Sequence, residues 1–377
     1  MPPSTSPALP YRVCVLAGAL ACCLIQAWAD GVPRYSMKRE TIPRSMASDH
    51  AGNVYLADEH FIRRLTPDGK LSTLAAHGFN NSASDTYTRF IFPSGLTVDN
   101  TGTLYVADRW DSTIRKITPD GTMSLLAGKS WNKLERRPPR DGKGAQAEFF
   151  GSDILTADNG GNVYVVDSRS IRKITSDGVV TTLAGQPGMH SGLDAANNRT
   201  SGDGSGRAAN FSYIAGLAVD RQGSLYASDY ERQTIRKISR DGAVSTLAGL
   251  PGHAGAQDGK GSTARFNFPT GIAVDDDGNV IVADSHNYTL RKITPDGTVS
   301  TLAGRAGCGG ERNGAGAEAR FGLAQFLAAG ADGSINVEEN LSDSVRVMDA
   351  EGRVGVVGRF VPGVVQGFEK LGRDAGC

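Results

Sequence analysis

The segment Pro-Thr-Gly-Ile-Ala-Val-Asp-Asp-Asp-Gly-Asn-Val-Ile-Val-Ala-Asp at 269–284 recurs closely at 93–108 and 214–229, and in weaker form from Pro43, Ser152 and Ala324. Repetition of this kind restricts a fold more than any composition does, because each copy must adopt the same local structure and bury its faces against its neighbours. Each copy runs on into a basic-apolar stretch and a Leu-Ala-Gly end, at 114–128, 171–185, 235–249 and 290–304, with degenerate outer versions at 62–76 and 345–358. The ends lie roughly 52 to 64 residues apart, a spacing that belongs to propeller blades or arrays.

Within one copy four short apolar runs follow one another, at 271–274, 280–283, 290–293 and 299–303. Four strands per repeat is the content of a propeller blade. The turns Asp99-Asn100-Thr101-Gly102 and Thr118-Pro119-Asp120-Gly121 place proline early and glycine where φ is positive, which suits tight hairpins. Such turns account for the 48 glycines among 377 residues, close to twice the usual share of about 7%. With 39% hydrophobic residues the chain has the means to bury a sizeable core, and one all-β domain of this length is acceptable.

The stretches Phe-Pro-Thr-Gly-Ile-Ala-Val-Asp, Val-Ile-Val-Ala-Asp, Leu-Arg-Lys-Ile-Thr-Pro-Asp-Gly and Leu-Ala-Gly resemble the consensus of the NHL repeat family. The resemblance implies an all-β, six-bladed β-propeller of four-stranded antiparallel blades over residues 41–358. Residues 30–40 form a lead-in. The tail 359–377 starts like another inter-blade loop but has no further strand pattern; it is either a terminal extension or a segment that docks on the first blade.

Residues 1–29 have the order of a secretory signal: Arg12, an apolar run from Val13 to Leu24, then Ala27-Trp28-Ala29 before Asp30. The run is shorter than the ~20 apolar residues that span a bilayer, and Ala19 stands where a lipoprotein box prefers leucine. Export with cleavage after Ala29 is therefore expected, to an extracellular or periplasmic destination, with no stable transmembrane segment in the mature chain. Cys14, Cys22 and Cys23 leave with the leader, and Cys308 and Cys377 remain as one pair that an oxidising compartment can join.

Lysine plus arginine and aspartate plus glutamate both number 40, so no global field steers the chain to nucleic acid or an anionic membrane. Any charge effect is local. The one strongly basic patch is the insertion 129–143, with Lys129, Lys133, Arg136, Arg137, Arg140 and Lys143 beside Trp131.

In such a blade the tight turns lie below, while the second-to-third-strand loops and the inter-blade loops emerge on the upper face, where function is expected. The basic insertion is placed there, and Asp275-Asp276-Asp277 on the opposite face. The residue before the first-strand glycine is expected to line the channel mouth: Arg44, Ser94, Asp153, Ala215, Thr270 and Gln325. A second ring, two residues past each strand-ending acid, is His60, Trp110, Arg169, Glu231, His286 and Leu341. With Arg109, Tyr230 and Tyr288 these make a mixed aromatic and charged rim, the composition of a binding surface.

The strand-ending acids Asp58, Asp108, Asp167, Asp229, Asp284 and Glu339 read as turn formers that accept backbone amides, and the recurring Arg63, Arg115, Arg172, Arg236, Arg291 and Arg346 as stems covering apolar surface. The loop motif Asp-Gly-x-Gly at 141, 203 and 258, with Asn313 in the fourth copy, precedes a phenylalanine at 149, 211, 266 or 321. One carboxylate per loop falls short of the six to eight oxygens calcium requires, so the motif reads as a turn followed by an inter-blade plug. The six histidines share no recurrent ligand spacing, so zinc is not expected.

Three functions are weighed. The first is a monomeric binding scaffold for a protein, a glycan or another anionic polymer, with no cofactor. The second is a metal-dependent lyase or lactonase working in the central channel, as the family resemblance allows. Amidating lyases carry histidines at the channel-mouth position and lactonases several carboxylates, whereas this ring offers Asp153 alone. The third, RNA binding, conflicts with the leader. The binding reading is preferred, and an enzyme is not.

Overall fold

The computed structural model describes residues 45–57, 61–76, 90–130, 138–188, 202–330, 332–339 and 344–359. The leader, the tail beyond Arg359 and the side chains of Arg44, His60, Lys133, Arg136 and Arg137 lie outside these residues.

Alternating and fully apolar runs pair with their sequence neighbours into six antiparallel sheets, in the expected six-bladed all-β architecture. Blades 1 and 2 (45–76 and 93–128) show four strands each among the described residues, and blades 3 to 6 (152–186, 214–248, 269–304, 324–359) show five. The fifth is an addition to the four-stranded expectation. In blade 3 it is Gly142–Lys143, which pairs with Val179 and Val180 at the outer edge; Gly204–Ser205, Gly259–Lys260 and Gly314–Ala315 repeat it. The chain leaves one blade at the top, descends along the outer edge of the next, and returns to begin its innermost strand.

This path explains the phenylalanines. Phe149 fills the space between blades 2 and 3, packed with Ala107, Ile114, Ala127, Val163 and Val165, and Phe211, Phe266 and Phe321 do the same further round, all buried. Burying each ring contributes about 1.5–3 kcal/mol. The Leu-Ala-Gly glycine is obligatory at this junction: at Gly249, φ is +93° and an added Cβ would lie 2.4 Å from the Gln233 carbonyl oxygen and 3.2 Å from the Phe266 ring.

The recurring arginines correct the sequence expectation. Their stems do not cover the surface; Arg172, Arg236, Arg291 and Arg346 are fully buried, and each guanidinium joins two acidic or polar groups. Arg291 reaches Asp284 of its own blade at 2.7 Å and Asp258 of the descending segment at 2.6 Å; Arg172 bridges Asp167 and Asp141, both at 2.8 Å. The same guanidinium stands over the plug, 5.2 Å from the Phe266 or Phe149 ring centre. The strand-ending acids do accept backbone amides, as Asp108 does from Ile91 and Phe92 and Asp167 from Phe150. Burial pushes Asp284 up to about 6 against the pull of the Asn267 amide, Asn287 and Arg291. A buried charge demands such compensation. Blade 2 departs from the pattern, with Arg115 held at 2.6 Å by Asp111 of the adjoining loop.

Below, the Asp-x-x-Gly turn is tied to the second strand. Asp99 accepts the amides of Thr101 and Thr103 on one oxygen and the Tyr105 hydroxyl, at 2.9 Å, on the other. Tyr55, Tyr164 and Tyr226 repeat the bond. Burial and the aspartate together push Tyr55 and Tyr226 up to about 12.

Blade 6 meets blade 1 through Met46, Val54, Leu56 and Leu65 against Ala328 and Val345. Asn336 Nδ2 donates to Ser48 Oγ across the junction at 3.0 Å.

Candidate functional site

The innermost strands enclose a channel whose cavity of about 50 Å³ is walled by Leu96, Ile154, Leu155, Leu217, Ile272 and Leu327 among others. Only part of the expected mouth ring faces it. Asp153 and Ala215 line the cavity, whereas Ser94 is buried and donates to the Ser152 carbonyl at 3.3 Å, and Thr270 donates to the Ala324 carbonyl at 2.7 Å. These hydroxyls stitch one blade to the next. Among the described residues no group of three His, Cys, Asp or Glu comes together as a metal site.

Above the channel, the second-to-third-strand loops of blades 2, 4 and 5 are fastened to the segment entering the first strand of the same blade. The amides of Arg109, Tyr230 and His286 donate to the carbonyls of Phe92, Tyr213 and Asn267, at 3.0, 2.8 and 3.1 Å. The fastening brings aromatic side chains of the two segments together. Phe92 and Trp110 stack with centroids 4.9 Å apart and planes 9° from parallel. A longer row runs from blade 4 to blade 5: Tyr213 to Tyr230 at 5.9 Å, Tyr230 to Phe268 at 4.7 Å, Phe268 to His286 at 4.6 Å. Large rings are normally withdrawn from water, yet Trp110 is 52% and Tyr213 49% exposed. Exposed aromatic clusters mark contact surfaces.

Phe268 is strained. Its φ is +51°, a region that costs a bulky residue on the order of 1–3 kcal/mol. The other non-glycine positive φ values fall at one repeated position, the residue before the third strand: Ser112, Ser168, Gln233 and Tyr288. Phe268 alone among the described residues breaks that pattern. Its amide is held by Gln233 Oε1 of blade 4 at 2.7 Å.

The electrostatics of this face are mild. Arg109 and Asp153 form an ion pair of 2.9 Å, half and one-third exposed. Burial raises the Tyr213 and Tyr230 hydroxyls, helped by Asp153 and Glu231 at Tyr213 and by Glu231 at Tyr230. Burial lowers His286 from its ordinary value.

Arg109, Trp110, Asp153, Tyr230 and His286 thus share the upper face. Tyr288 points elsewhere, its ring beside Gly309 of the next inter-blade segment. Arg169 begins a strand, Arg169–Ile174, instead of overhanging the mouth. The described end of the basic insertion leaves the upper face: Lys143 sits at the lower outer edge, 2.9 Å from Asp177 of the third-to-fourth-strand turn, and Arg140 donates to the Gln146 carbonyl. The expectation overlooked the descent of the inter-blade segment; Lys129 remains at its exposed upper start. Sequence reasoning also missed Phe92, Tyr213 and Phe268. A signal existed, since each stands two residues after a plug phenylalanine, at 90, 211 and 266.

A profile of the NHL repeat matches residues 90–117 and 266–293, the first three strand segments of blades 2 and 5 lying within or across these bounds. The chain carries NHL repeats on a six-bladed β-propeller. Teneurin-3 of Danio rerio is 26% identical to this NHL-repeat chain over 332 residues, covering 67% of it. The chain spans only 12% of that relative's length. Among solved structures, an auxiliary nutrient binding protein from Bacteroides thetaiotaomicron aligns with TM-score 0.53 and 14% identity over 83% of this chain and 69% of that one. A catalytically inactive virginiamycin B lyase from Staphylococcus aureus with Quinupristin aligns with TM-score 0.50 and 13% identity over 85% and 86%. At these identities the solved structures report the propeller fold alone. No helix among the described residues is long and apolar enough to cross a membrane.

Proposed function

We propose that this NHL-repeat propeller is an exported interaction module that engages a protein partner through the aromatic rim of its upper face. The observation that carries the reading is the exposure of Trp110 and Tyr213, 52% and 49%, on the face where the Arg109–Asp153 pair also lies. Withdrawing such rings from water on contact supplies affinity without a large area. The likeness to a teneurin, over most of this chain, supports a role in protein association, and the leader at 1–29 supports export. The channel favours this reading over an enzyme: Asp153 is the one carboxylate among the residues that line its cavity, fewer than the three protein ligands a catalytic metal takes.

The test is crosslinking of the purified chain 30–377 to the surface proteins of the source cells, with Trp110→Ala/Tyr213→Ala compared with the lower-face variant Asp276→Ser/Asp277→Ser. The adduct should disappear with the first variant and persist with the second. Loss with the lower-face variant alone, or an adduct indifferent to both, overturns the reading. A product that carries glycan and no protein replaces the partner class.

A further inference from the structure

We infer that the row Tyr213, Tyr230, Phe268 and His286, with Glu231 beside it, is a docking site for a basic side chain, guanidinium or ammonium, presented by the partner protein. The inference deepens the binding role proposed above and rests on it. Three independent features support it. The first is the rings themselves, each standing 4.6–5.9 Å from the next in a row that runs from blade 4 to blade 5. Aromatic faces carry negative potential and attract cations within about 6 Å of the ring centre.

The second is charge. Asp153 is already neutralised by Arg109 at 2.9 Å, whereas Glu231 has no ion-pair partner among the described residues and is exposed. Its field reaches both tyrosine hydroxyls. Burial lowers His286 from its ordinary value, which disfavours the charged imidazole that would oppose a cation. The patch is thus complementary to positive charge, and two described cations of the basic insertion are engaged elsewhere, Lys143 with Asp177 and Arg140 with the Gln146 carbonyl.

The third is the backbone at Phe268. A strained conformation found in one blade among the described residues, and anchored by Gln233 of the neighbouring blade at 2.7 Å, is a feature that repeat packing alone does not require. Strain of this kind gathers at ligand clamps. Here it sets the Phe268 ring between Tyr230 and His286.

The probe is a fluorescein-labelled octapeptide of alternating arginine and glycine, with a second in which citrulline replaces arginine, so that shape is kept and charge removed. Binding to the chain 30–377 is read by anisotropy. The arginine peptide should bind at least about tenfold more tightly than the citrulline peptide, with Glu231→Gln and Tyr213→Ala each weakening it about fivefold or more at unchanged melting temperature. Equal binding of both peptides, indifference to Glu231→Gln, or tighter binding of a neutral hexasaccharide overturns the inference. If the crosslinked partner is lost with the Trp110/Tyr213 variant but retained with Glu231→Gln, the rim stands as the interface and the cation site falls. If neither variant affects either assay, both readings fall.

Discussion

The Phe268 amide donates to Gln233 Oε1 at 2.7 Å, and both residues sit in the left-handed region, with φ of +51° and +60°. Two unfavourable backbones in adjacent blades are thereby joined by one bond. Gln233 is itself buried, so its side chain is held for this purpose by the surrounding loop.

Gln233→Ala should therefore lower stability by about 1–2 kcal/mol in chemical denaturation and weaken partner binding by freeing Phe268. Reduced stability with intact binding would show that Phe268 keeps its conformation without the bond.

The buried clamps make a sharper contrast. Arg291→Ala leaves Asp284 buried without its cation and should cost about 3–5 kcal/mol. Asp258, the other partner, is half exposed, and Asp258→Ala should cost about 1 kcal/mol or less. Equal losses would mean that both ion pairs contribute alike.

Glu338 gives a pH prediction. It is buried with both carboxylate oxygens lacking hydrogen-bond partners among the described residues, and burial, then the neighbouring Glu339, push it up to about 8. The same sheet position in blades 2 to 5 holds Ala107, Val166, Ser228 and Ala283. Because the folded chain holds this proton more tightly than the unfolded chain, the stabilisation is present at low pH. It is lost as pH rises from the ordinary carboxyl range through about 8. Glu338→Gln should remove that slope and be more stable than the parent by a few kcal/mol at pH 9. Parallel stability profiles for the two proteins would refute the assignment.

Cys308 is disulfide-bonded, with its partner outside the described residues. In a chain shortened to 30–377 the one other cysteine is Cys377. Non-reducing peptide mapping of exported protein should link the two, and a link from Cys308 to Cys14, Cys22 or Cys23 would show that the leader is retained.

The blade count, strand order and turns were legible because each rests on local pattern: alternation, Asp-x-x-Gly, and glycine at positive φ. The clamps were not. Arg291 reads as a snorkelling stem from its strand, and only the return of the chain past the blade edge brings Asp258 to it. Lys143 was misplaced for the same reason, since a loop that descends looks in sequence like one that stays on top. The rim was half visible. Trp110, Tyr230 and His286 follow from counting past the strand-ending acids, whereas Phe268 depends on a backbone twist that no propensity foretells.

The junction between blades 6 and 1 differs from a blade interior in how it would respond to tension. Within a blade, neighbouring strands share ladders of backbone hydrogen bonds, and in blades 3 to 6 the descending segment adds a further pair at the rim. Across the junction the described residues offer side-chain packing and the single Asn336–Ser48 bond. Apolar contacts slide apart under load more readily than a ladder shears. A pull applied between the two ends of the ring would thus part it there first, turning a closed disc into an open arc of intact blades, whose junction farthest from the break, between blades 3 and 4, adjoins the aromatic row of blades 4 and 5.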